Sequence, residues 1–127
     1  MPNTNIEELA NILVQKVRDI AIQYCDRRLR PDATNIIAER WNHAAREGNV
    51  ESVARVLIPD IVDATLTQFC RAINQGLLRL LYTASNGENA NLPVDGLGEL
   101  AGWYIGSDGW RAKYSKERFV DDFSDLK

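Results

Sequence analysis

Few side chains in this sequence stand where they could do chemistry. His43 is the only histidine, and it follows Glu39 by four residues. That spacing puts imidazole and carboxylate on one helical face, as a base oriented by a carboxylate or half of a metal site would require. With Arg40, Arg46 and Glu47 around it, the pair also reads as a charged surface turn. No second histidine, cysteine or carboxylate at ligand spacing completes the set, and no bound metal is expected. Asp60 and Asp63 have the spacing of paired carboxylates. Because they follow Pro59, they read first as the acidic opening turn of a helix, where negative charge opposes the positive end of the dipole. Arg27, Arg28 and Arg30 could hold a phosphate or a carboxylate, yet the last turn of a helix attracts the same charges. Cys25 and Cys70 lie 45 residues apart with no Cys-x-x-Cys motif. Each has apolar neighbours at helical spacing, which predicts two reduced, unreactive thiols packed as small hydrophobes.

Recognition-type residues are densest between Gly96 and Arg118, where five of the eight glycines and two of the three tryptophans fall. Gly96-x-Gly98 and Gly102-x-x-x-Gly106-x-x-Gly109 fit neither the phosphate-binding loop nor the dinucleotide fingerprint, and no long hydrophobic strand precedes them. No nucleotide or other cofactor is expected. Ser107 and Ser115 have no activating base beside them, so no nucleophile stands out. What remains is an alternation of aromatic and basic side chains, the types concentrated at binding hot spots. The sequence predicts a binding patch of Tyr104, Trp110, Arg111, Lys113, Tyr114 and Arg118, with Trp103 turned to the core. An alternative reading sets Glu99, Asp108 and Arg111 as polar groups around an aromatic-floored pocket in residues 96–118.

These residues need a frame, and hydrophobic periodicity supplies it. Thr4 and Glu7 match a capping box ahead of a helix over about 5–29, which Pro31 stops. Asp32 or Thr34 can cap a second helix carrying Ile36, Ile37 and Trp41, ended by Gly48. Asn49 opens a short third helix with Val50, Val53, Val56 and Leu57, and Pro59 separates it from a fourth over about 60–75. The stripe of that fourth helix is Ile61, Leu66, Phe69, Cys70, Ile73 and Leu77. Residues 77–84 have strand content, Asn86-Gly87 is a hairpin-turn signal, and 88–94 form a return arm interrupted by Pro93, with continuation of the fourth helix to about Tyr82 as the competing reading. A short helix over 97–104 and a turn at 107–109 follow, then a strand or helical turn over 110–115. A last helix over 116–122 should turn Phe119, Val120 and Phe123 inward, and the acidic tail should fray. Leu13, Val17, Trp41, Phe69 and Ile73 are the expected core.

A chain of 127 residues with 45% hydrophobic content is the size of one domain, 1–127, able to bury a core. The expected fold is mainly α: a small bundle of four to six helices with a short β-hairpin and a Gly/Trp-rich C-terminal cap. A net charge of −3 and a pI near 5.1 disfavour nucleic acid as a partner. No run approaches the roughly 20 apolar residues of a membrane span, and the N-terminus lacks a basic and apolar leader. A cytoplasmic, soluble protein with no membrane partner is expected. With no catalytic constellation in view, the favoured function is a protein-interaction module. Its partner would be another protein, with a homodimer as one form. In size, acidity and lack of catalytic residues the chain is similar in type to small bacterial immunity or antitoxin proteins, a likeness carried by no motif. That likeness implies an acidic neutralising protein or adaptor. The alternative is a small-ligand-binding protein or enzyme with its pocket at 96–118.

Overall fold

A computed structural model of the chain describes residues 4–123. Apolar residues at three-to-four spacing build a continuous N-terminal rod: α1 (Thr4–Ile12), a π-helical stretch (Leu13–Arg18) and α2 (Asp19–Arg28). Thr4 therefore lies inside the helix and is not its cap. In the π stretch the hydrogen bonds reach back five residues, so the Asp19 N–H meets the Val14 carbonyl and the facing of the helix shifts. Val17 and Ala21 are buried, whereas Leu13 is 37% exposed, a correction to the core that regular spacing predicts.

Asn35, not Asp32 or Thr34, caps α3 (Ile36–Glu47), its side chain accepting the Ala38 N–H at 2.8 Å. Asn49 caps the next helix in the same way through Ser52. That helix, α4 (Val50–Asn74), runs unbroken through Pro59 and replaces the two helices expected there. Proline lacks the N–H that would reach the Arg55 carbonyl one turn earlier. The Nε of Arg118 donates to that carbonyl instead, at 3.0 Å, so the freed acceptor is satisfied from outside the helix. At 25 residues, α4 is about 37 Å long and packs against α2, the π stretch and α3. It is the spine of the molecule.

The chain leaves α4 through Gly76, whose φ of 76° suits glycine, and Leu78 turns back into the core at 2% exposure. There it meets Val17, Cys70, Ala72, Ile73 and Leu100, with Phe69 and Trp103 packed against them. The expected hairpin is present but short. β1 (Leu81–Thr83) pairs antiparallel with β2 (Asn89–Asn91), Leu81 opposite Asn91. Pro93 sits in the first turn of α5 (Leu92–Asp95) and does not interrupt a strand. Leu97 adopts φ 54° between α5 and α6 (Leu100–Ile105), so the helix expected from 97 starts later. The Asn74 side chain accepts the Leu100 N–H at 3.1 Å and ties α6 to the end of α4. Residues 110–115 resolve as helix, α7 (Trp110–Tyr114). Gly109 precedes it because a Cβ there would lie 2.1 Å from the Trp103 carbonyl oxygen.

No helix forms over 116–122. Side chains hold that segment flat instead: Ser107 Oγ donates to Asp121 at 3.0 Å, and Arg111 reaches the Val120 carbonyl at 3.3 Å. Phe119 is half-buried, but Val120 and Phe123 are exposed, against expectation. The end of the acidic tail, 124–127, lies outside the described residues. The architecture is mainly helical with a two-stranded antiparallel sheet. Among the described residues no helix is long and apolar enough to cross a membrane.

Candidate functional site

The middle of α4 is amphipathic in reverse. Asp60, Asp63, Thr67 and Gln68 are buried, whereas Ile58, Ile61, Val62 and Leu66 are between 40% and 52% exposed. The stripe predicted for this helix is right at Cys70 and Ile73 and corrected at Ile61 and Leu66.

Buried carboxylates persist only where cations and donors meet them. Asp60 accepts from Arg40 Nη2 at 2.9 Å and Nε at 3.3 Å, and from Trp41 Nε1 at 2.7 Å. The other edge of Arg40 binds Asp122 at 2.8 and 3.3 Å. The hydrogen bond to Asp122 raises the Arg40 pKa above its ordinary value; burial opposes that, and the bond to Asp60 adds to it. One turn along, Asp63 accepts from Arg111 Nη1 at 2.7 Å and from the Tyr104 hydroxyl at 2.5 Å. Burial, and then the bond to Asp63, push the Tyr104 hydroxyl well above the ordinary tyrosine range, with Arg111 pulling the other way. Arg111 itself is 8% exposed. It also donates to the Ile105 and Val120 carbonyls and lies 4.5 Å from the Phe119 ring centroid. Asp60 and Asp63 are thus mid-helix anchors for cations brought from α3 and α7, not the acidic first turn that the sequence suggests.

Above the Asp63–Arg111–Tyr104 cluster opens a groove of about 560 Å³. Ile58, Pro59 and Val62 of α4 line it on one side, with Trp110, Tyr114, Ser115, Glu117, Arg118 and Phe119 from the C-terminal part of the chain. Trp110, 38% exposed, lies tilted against Trp103 with ring centroids 6.1 Å apart, and Tyr114 is 73% exposed.

Of the six predicted patch residues, Tyr104, Trp110, Arg111, Tyr114 and Arg118 line this groove; Lys113 is exposed and does not. Two of them are corrected in kind. Arg111 is a buried ion-pair partner, and the Tyr104 hydroxyl points to Asp63 where an exposed one was expected. In the alternative set, Arg111 lines the groove but Glu99 and Asp108 do not. Sequence reasoning missed Arg40, Asp122, Ile58 and Val62. The available signal was the row Ile58, Val62, Leu66 at four-residue spacing, beside acidic residues three apart on the same helix.

On the floor of the groove Asp63 is paired with Arg111, and at its rim the exposed Glu117 lies 3.8 Å from Arg118. His43 and Glu39 are exposed elsewhere, and among the described residues no three His, Cys, Asp or Glu side chains are grouped to hold a metal ion. No protein-family model matches the chain, and no curated protein or solved structure matches it either.

Proposed function

We propose that the chain is a protein-interaction module that receives an apolar segment of a partner along the outer face of α4 and the groove beside it. The observation that carries this reading is the reversed α4, whose aliphatic row faces out while its charges face in. Ile58, Val62 and Leu66 at four-residue spacing form a seam on which a partner helix can lie, with Trp110 and Tyr114 as aromatic anchors.

On this reading residues 1–127 act as one unit, and 96–118 cap one end of the bundle and present the anchors. The partner is another protein or a second copy, and the net charge of −3 suits an acidic neutralising or adaptor role toward a basic surface. Val62→Asp and Tyr114→Ala test it. Both should keep the helical circular dichroism and melt near wild type, as exposed changes do, and both should lose the stoichiometric complex that wild type forms in lysate of its source organism. Variants that still form the complex would refute the reading. The groove volume also fits a small apolar ligand; saturable binding of such a ligand with no protein complex would select that second reading.

A further inference from the structure

A second cavity, of about 220 Å³, lies between α2, α3, α4 and the C-terminal segment. Three guanidiniums, Arg28, Arg71 and Arg111, and three carboxylates, Asp60, Asp63 and Asp122, line it. Asp60 and Asp122 are bound by Arg40, and Asp63 by Arg111. Arg28 and Arg71 line the same cavity, and neither has a carboxylate partner among the described residues. Arg40, outside the lining, takes up both Asp60 and Asp122, so Arg28 and Arg71 are left without a carboxylate of their own, and a guanidinium cannot shed its charge by deprotonating.

Hydrogen bonding points the same way. Among the described residues, the buried side-chain polar atoms without a partner are Arg28 Nη1, Thr67 Oγ1 and Arg111 Nε. All three belong to residues that line this cavity. Two of them are donors only. Arg28 is half-buried with its guanidinium 5.6 Å from the centroid of the Trp41 ring; the plane is packed, and the N–H edge has no acceptor. Gln68, 8% exposed, makes no side-chain hydrogen bond among the described residues. Tyr24, Ile37, Ile105 and Phe123 supply apolar wall.

We propose that this cavity is a binding site for a small organic carboxylate. Its oxygens accept from Arg28 and from Arg71 at the exposed end, Gln68 and Thr67 add neutral hydrogen bonds, and a short apolar body lies against Ile37, Ile105 and Phe123. The planar guanidinium fork matches a carboxylate, and the space equals about seven water volumes, enough for an anion the size of benzoate. This goes beyond the protein-interaction reading, because it uses charge on the inner face of α4.

The test is calorimetric titration of the full chain with sodium benzoate, sodium acetate and inorganic phosphate at matched ionic strength, with sodium chloride as reference. One-to-one saturable binding of a carboxylate is expected, weakened at least ten-fold in Arg28→Gln and in Arg71→Gln, and unchanged in Arg79→Gln, an exposed arginine away from the cavity. Arg71→Gln, at an exposed position, keeps the test decisive even where Arg28→Gln loses stability with its Trp41 contact. Three outcomes would overturn the proposal: no carboxylate binding above chloride, equal binding in Arg71→Gln, or binding of phosphate alone. A crystal grown with benzoate that shows only ordered water in the cavity would overturn it too.

Discussion

Replacing Arg111 by methionine separates a surface arginine from a buried one. Methionine keeps the length and apolar bulk of the side chain and removes only the charge and donors. Three hydrogen bonds go with them: to Asp63 at 2.7 Å, and to the Val120 and Ile105 carbonyls at 3.3 and 3.4 Å. Asp63, 8% exposed, is left with the Tyr104 hydroxyl alone. Breaking a buried pair from one side costs about 3–5 kcal/mol, because the surviving charge stays out of water. In urea, where a small domain has an m-value of roughly 1–3 kcal/mol per molar, the midpoint should fall by about 1 M or more. Fluorescence-detected melts would measure it, and adding Asp63→Leu to Arg111→Met should recover part of the loss by removing the stranded carboxylate. A cost under about 1 kcal/mol, the size of an ordinary surface change, would refute the argument and return Arg111 to solvent.

Three further outcomes follow from the same geometry. Arg118→Ala should cost about 1 kcal/mol in the wild type and almost nothing in Pro59→Ala, where a backbone N–H reaches the Arg55 carbonyl unaided; equal costs in both backgrounds would break the link. The folded state holds the Tyr104 proton more tightly than the unfolded chain does, so this contribution is complete below the ordinary tyrosine pKa of about 10 and is lost as pH rises through the folded value. Wild type should therefore lose stability in alkaline melts more steeply than Tyr104→Phe, and parallel curves would contradict the assignment. Burial raises the thiol pKa at both cysteines, so a thiol reagent under native conditions should leave Cys70 unlabelled and reach half-buried Cys25 slowly; fast labelling of Cys70 would contradict its place in the core.

Helices were readable because apolar spacing and caps are local. Ile73, Val17 and Trp41 could be assigned to the core from three-to-four periodicity, and Asn86-Gly87 marked the hairpin because that turn requires backbone angles few other residues adopt. Pro59 misled for a physical reason. The acceptor it frees at Arg55 is met by Arg118, 63 residues along the chain, and no window of local sequence contains both. Arg111 misled in the same way. In a segment of alternating aromatic and basic residues, an arginine in water and an arginine on a carboxylate 48 residues away look identical. Five of the six residues picked from the aromatic and basic alternation line one groove, but residue types could not say which heads faced inward. Leu13 went wrong through the π stretch, which shifts the facing of a helix without any proline or glycine to announce it.

Why α4 settles with its charges inside can be decided by magnitude. A helix has one circumference, so seating Asp60 and Asp63 against Arg40 and Arg111 turns Ile58, Ile61, Val62 and Leu66 outward. Rotating the helix to bury those four, each already about half covered, would gain about 1 kcal/mol apiece, half the 1.5–3 kcal/mol of full burial. The rotation would strip both cations of their carboxylates, at about 3–5 kcal/mol for each buried pair broken. The losses exceed the gain by several kcal/mol, so the isolated chain keeps its polar side in. A partner removes the conflict, because covering the aliphatic row from outside collects that burial with both ion pairs intact. On the proposed reading, contact would therefore act on Ile58, Val62 and Leu66 without disturbing Asp60 and Asp63, whose ion pairs lie on the opposite side of the helix.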